Sequence, residues 1–381
     1  HLRTLRNFTV LERISVAGHL IRLIAAFQGG IRGVSTPATL LPPALILYQM
    51  FLIVRPTTAP HCAPRRNKPL CHLRLRPMGC HLAPPAPAHM AREQRSSSSE
   101  EARLLSLARR ATEGECALSP CPSDKGATSG VYFISSPSSS SSSSSSMPVE
   151  GVFKPSSQEH VPAELSPSFA AGHNMYRERA AYLVSRSVGG GVPETVVAAV
   201  RHDMLPGGAG RGSLQRFVAE AEDMGDMGPG SLRVEDVQRL GLLDVLLLNC
   251  DRHEGNILVT PQGGLVPIDH GLCLPSLVSA TSEEEKSKEA GVLSRIWFAW
   301  QGWKQADLPF SESLRRAAAS LSRERVEAMA EEVGGETEGL EEDGALMALK
   351  IGAVVVRRGV EAGMTLRGLA ELVQGPLEGM A

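Results

Sequence analysis

One stretch, Leu242 to Pro275, restricts this chain more than any other; it reads LLDVLLLNCDRHEGNILVTPQGGLVPIDHGLCLP. Asp251 and Asn256 are spaced as D-x-x-x-x-N, and Asp269-His270-Gly271 follows as a D-x-G. Between them Ile257 to Val259 reads as a short apolar strand, Pro261-Gln262-Gly263-Gly264 as a turn, and Leu265 to Ile268 as the return strand. A hairpin joins its two ends, so Asn256 and Asp269 are predicted to be neighbours. An amide oxygen and a carboxylate at one point suit a hard divalent cation, and a second carboxylate, Asp251, suits alignment of a hydroxyl. Phosphoryl transfer needs that set, because it asks the protein for positioning and charge neutralisation more than for covalent chemistry. A solvated surface hairpin with Asp and Asn caps explains any single D-x-G but not the whole string.

The rest of the composition bounds the setting. Hydrophobic residues make up 42% and aromatics only 4%, so a core must be built from Ala, Val and Leu. The net charge of -2 gives no global attraction to nucleic acid, and no nucleic-acid partner is expected. Seven cysteines at irregular spacing argue against a disulfide framework and for a reducing, cytoplasmic setting. The opening His reads as a fragment or a conceptual translation. Residues 1–120 read as a low-complexity, largely disordered N-terminal region and 121–381 as the folded domain, with the serine tract 138–146 inserted in a hairpin. Leu40 to Val54 is short of the ~20 residues a membrane span needs and contains Pro42 and Pro43. His61-Cys62, Cys71-His72 and Cys80-His81 match no zinc-module spacing. A short helix is predicted from Ser99, as cap, to about Ala111.

The Asp, Asn and Asp-x-Gly order is that of the protein-kinase fold, but D-R-H-x-x-N followed by I-D-H-G differs from H-R-D and D-F-G. The fuller string resembles the phosphatidylinositol 3- and 4-kinase catalytic domain, and within it the phosphatidylinositol 4-kinase gamma group of plants and algae. Gly130-Val131-Tyr132-Phe133, Gly151-Val152-Phe153-Lys154-Pro155, Arg177-Glu178-Arg179-Ala180-Ala181-Tyr182, Gly212-Ser213-Leu214-Gln215 and Trp297-Phe298-Ala299-Trp300 carry the same resemblance, which extends over roughly 126 to 374. It implies a two-lobed α+β protein-kinase-like fold with a small β-rich N-lobe and a larger helical C-lobe. It also implies ATP and Mg2+ as cofactors. Residue by residue, it implies Asp251 at the acceptor hydroxyl, His253 at the transferring phosphate, Asn256 and Asp269 on Mg2+, and Lys154 on the ATP phosphates paired with Glu178. Gly212 to Gln215 is expected near the interlobe hinge, and the tryptophans are expected at helical spacing in the core.

The implied acceptor is an inositol ring hydroxyl of phosphatidylinositol, reached by peripheral contact of a cytoplasmic protein with a membrane. Glu283, Glu284 and Glu285, ahead of Lys286 and Lys288, oppose an anionic headgroup. A serine/threonine protein kinase of the same fold acting on protein substrates therefore stands as the alternative, with a nucleotide-binding pseudokinase as a third.

Overall fold

Two sheets and a set of helices divide the chain into a smaller β-rich lobe and a larger helical one. The computed structural model describes residues 88–122, 130–137, 147–225, 227–277, 292–293 and 295–374. The predicted features at Leu40–Val54, the His/Cys pairs from 61 to 81, the serine tract and the Glu and Lys run of 283–288 lie outside these residues.

The small lobe is a five-stranded antiparallel sheet: β1 (Ala117–Pro120), β2 (Tyr132–Ser135), β3 (Val149–Pro155), β4 (Thr195–Arg201) and β5 (Ala209–Arg216), in the order β1-β2-β3-β5-β4. One face is covered by helix α1 (Ala88–Thr112). Leu104, Leu107, Ala108 and Ala111 of α1 are buried in one cluster with Ile134, Phe153, Val196, Val200 and Leu214 of the sheet. Side chains alternate across a strand, so Phe153 enters this core while its neighbour Lys154 lies on the opposite face. β5 lies against β3 closely enough that a Cβ on Gly212 would stand 2.1 Å from the Lys154 carbonyl oxygen. A side chain there would force the two strands to shift apart.

This arrangement corrects two expectations. The helix begins at Ala88 rather than at Ser99, which sits within it instead of capping it. The disordered region expected over 1–120 does not extend to 120, because the apolar stripe of α1 is sealed by the sheet and β1 is the sheet's first strand.

The helical lobe contains α2 (Asn174–Val188), which follows β3, and then α3 (Val234–Leu247), α4 (Glu312–Ala319), α5 (Arg323–Glu336), α6 (Ala345–Glu361) and α7 (Leu366–Gln374). Ser311 and Ser322 cap α4 and α5 by accepting from the amides of Leu314 and Arg325. A second sheet of β6 (Glu222–Asp223), β7 (Ile257–Val259) and β8 (Leu265–Pro267) lies at the junction. Gly212 to Gln215 belong to β5, and the segment 217–221 after it leads to β6 and the helical lobe. Trp300 and Trp303 are buried, but Trp297 is 54% exposed and lies outside any helix, so the expected placement of the tryptophans as a helical core pair fails at Trp297. Among the described residues no helix is long and apolar enough to cross a membrane.

Candidate active site

The hairpin predicted from the sequence is present: Ile257 pairs with Pro267 and Val259 with Leu265, and Gly263 takes φ 77° in the turn. The Ile268 amide then donates to the Asn256 carbonyl at 3.1 Å, so the backbone leaving the hairpin returns beside the backbone entering it and Asp269 begins at Asn256. Asp269 has φ 54°, a left-handed conformation that Asp adopts more readily than most residues.

From the opposite face of β3, Lys154 Nζ reaches Asp269 Oδ1 at 2.9 Å and Glu178 Oε1 at 2.6 Å. Glu178 comes from α2 and is only 3% exposed; its other oxygen accepts from the His270 amide at 3.1 Å. Strand β3, helix α2 and the D-x-G turn therefore meet at three side chains. Burial alone would lower the Lys154 pKa, but Asp269 and Glu178 outweigh it and raise it, so the lysine is a cation. Burial would raise Asp269, yet Lys154 holds it below the usual carboxylate range. Asp251 is pushed the other way, first by burial and then by the charge on Asp269.

Asn256 Nδ2 donates to the Asp251 carbonyl at 2.8 Å. Its Oδ1 is the acceptor left over, on the residue whose carbonyl the Ile268 amide meets just before Asp269. An amide oxygen and a carboxylate are hard donors that fit Mg2+ held jointly with nucleotide phosphates. Among the described residues no group of three His, Cys, Asp or Glu side chains forms an all-protein cage. His253 Nδ1 accepts from the Gly255 amide at 3.1 Å, which leaves Nε2 to carry the proton of the neutral ring.

Behind these residues lies a buried network that the sequence reading passed over. Arg252 is 0% exposed, and its Nε donates to both oxygens of Asp244 at 3.0 and 3.1 Å. Its Nη1 donates to the carbonyls of Asn256 and Ile268, the latter at 2.9 Å, and Nη2 donates to His270 Nε2 at 2.8 Å. Asp244 also accepts from Trp300 Nε1 at 2.8 Å and Asn249 Nδ2 at 3.1 Å, and Asn249 Oδ1 in turn accepts from the Asp251 amide at 3.0 Å. One guanidinium thus ties the 251–256 loop to both ends of the hairpin. The signal was legible: Asp244 is the only charge in the apolar run LLDVLLL, and a helix buries such a residue only with a partner.

Residues 168–334 match the family model described as Phosphatidylinositol 3- and 4-kinase. That segment belongs to the phosphatidylinositol 3- and 4-kinase domain family. It includes Glu178, Asp251, His253, Asn256 and Asp269, while Lys154 precedes it. The chain is also similar to phosphatidylinositol 4-kinase gamma 1 of Arabidopsis thaliana, 37% identical over 168 residues that cover 38% of this chain and 27% of the relative. Gamma 8 of the same plant is 33% identical over 227 residues, covering 54% and 38%. Gamma 4 is 31% identical over 284 residues, covering 65% and 45%. The chain spans less than half the length of each of these curated relatives.

Proposed function

We propose that this kinase-family domain transfers the γ-phosphate of ATP to an inositol ring hydroxyl of phosphatidylinositol, as a 1-phosphatidylinositol 4-kinase-like enzyme at a membrane surface. The observation that carries the reading is the convergence of Lys154, Glu178 and Asp269 from three separate elements, next to Asn256. The names of the gamma relatives supply the lipid acceptor.

In this reading Glu178 holds Lys154, whose ammonium turns to the ATP phosphates. Asn256 Oδ1 and Asp269 hold Mg2+, which neutralises charge on the phosphate oxygens when bound. Asp251 orients the acceptor hydroxyl and takes its proton; a pKa raised by burial and by Asp269 makes it a better proton acceptor than a solvated carboxylate. His253 donates from Nε2 toward the transferring phosphate. Arg252 fixes the loop so that Asp251 and Asn256 keep their separation. The domain proposed to do this includes α1 and β1 as well as 121–374.

The test offers labelled ATP and Mg2+ to the full chain with phosphatidylinositol vesicles and a generic protein acceptor in parallel. Label in the lipid supports the reading. Label in protein alone replaces it with a protein kinase, and no label from a folded sample leaves a nucleotide-binding pseudokinase.

A further inference from the structure

Helix α2 carries Glu178 toward the site, and three of its other side chains share one carboxylate from α1. Arg179, Tyr182 and Arg186 recur at i, i+3 and i+7, so they share one face of α2. All three converge on Glu101 of α1. Glu101 Oε2 accepts from Arg179 Nη2 at 2.8 Å, and Oε1 accepts from the Tyr182 hydroxyl at 2.9 Å and from Arg186 Nη1 at 3.1 Å. Arg179 is 6% exposed and its Nη1 donates to the Thr195 carbonyl at the start of β4 at 2.7 Å. Glu336 and Glu332 of α5 also reach Arg179 and Arg186, but they are 49% and 39% exposed, where water screens an ion pair.

We propose that Glu101 is a positioning residue for the Lys154–Glu178 pair, so that α1 acts as a clamp fixing the rotation and depth of α2. The argument rests on the reading of that pair as the phosphate-holding element given above. Arg179 is the residue next to Glu178. If the Glu101 carboxylate is lost, a nearly buried guanidinium loses its best-shielded counter-charge and must move or rehydrate, and Glu178 moves with the same backbone. Glu336 and Glu332 each take one arginine, whereas among the described residues Glu101 receives Tyr182 together with both arginines. Glu101 lies outside the residues 168–334 matched by the family model.

A purely structural staple and a positioning clamp differ in how they combine with Glu178. The experiment compares the full chain with Glu101→Gln, Glu178→Gln and the double variant. One readout is the rate at which an N-hydroxysuccinimide acetate acylates Lys154, followed by mass spectrometry; the other is kcat and KM for ATP. The clamp predicts that Glu101→Gln speeds acylation of Lys154 and lowers kcat by about fivefold, and that it adds nothing once Glu178 is already Gln. Lys154 acylated at the wild-type rate in a folded Glu101→Gln protein overturns the proposal, and so do effects of the two substitutions that multiply. If Glu101→Gln does not fold, Arg186→Gln, which removes one outer donor, takes its place with the same two outcomes. The acylation rate is informative even if the wild-type chain transfers no phosphate, in which case the kinase reading fails by itself and the clamp is still decided.

Discussion

Lys154 Nζ stands 2.6 Å from Glu178 Oε1, and this contact joins β3 to α2 across the face of the sheet opposite its core. Glu178 is buried apart from this partner and the His270 amide, so removing the lysine strands a carboxylate. Lys154→Met is expected to cost about 3 kcal/mol of stability and at least about a hundredfold in kcat/KM. Urea unfolding and ATP turnover measure the two. A variant as stable as the wild type would mean that the pair is not desolvated in solution.

Arg252 and Asp244 are both fully buried and depend on each other. Asp244→Ala leaves the guanidinium without a counter-charge and is expected to destabilise by about 3–5 kcal/mol. Replacing both, as Arg252→Met with Asp244→Leu, removes the stranded charge but is expected to recover only part of the stability and none of the phosphate transfer, since Trp300 Nε1, Asn249 Nδ2, His270 Nε2 and the carbonyls of Asn256 and Ile268 lose their partners. Paired denaturation curves and activity assays separate the two consequences.

Gly212 faces the backbone of β3, and the atom a methyl group would strike is the Lys154 carbonyl oxygen rather than a side chain that can swing away. Gly212→Ala is therefore expected to cost about 1–3 kcal/mol. It should also lower ATP affinity by shifting Lys154, as a binding titration would show. Stability at the wild-type level would contradict the register Lys154 to Ser213.

His270 has a pKa well below its usual value, first because it is buried and then because Arg252 and Lys154 lie beside it. The Arg252 guanidinium can only donate, so Nε2 is the acceptor and the folded ring is neutral. Below pH ~6.5 the unfolded chain takes up a proton that the folded chain refuses, so stability falls as the pH drops, with a slope approaching about 1.4 kcal/mol per pH unit from this group. Above that pH the group contributes no slope. His270→Gln is expected to flatten the fall between pH 7 and 5.5 in a denaturant series; an unchanged slope would show that His270 is protonated in the fold.

The hairpin and the meeting of Asn256 with Asp269 were legible in the sequence because strand, turn and strand are local and Gly263 marks the turn. Lys154 and Glu178 were legible through resemblance and not through pattern, since a single lysine on a strand says nothing about its partner on a later helix. Arg252 was less legible because an arginine between Asp251 and His253 reads as a solvated side chain, although Asp244 in its apolar run announced a buried pair. The role of α1 was hidden for a different reason. Its stripe of Leu104, Leu107, Ala108 and Ala111 specifies a buried face but not the surface that buries it, and the sheet that does so is assembled from strands spread over residues 117–216. Trp297 was misplaced because helical spacing was assumed for a segment that forms a short 3-10 turn only after it.

The most direct test of the account is transfer of labelled phosphate from Mg2+-ATP to phosphatidylinositol vesicles by the full chain and by Asp269→Asn, which keeps a residue suited to the left-handed backbone while removing the charge. The account predicts label in the lipid with the wild-type chain and loss of at least about two orders of magnitude in the variant, with folding unchanged. Lipid labelled equally by both proteins would contradict it.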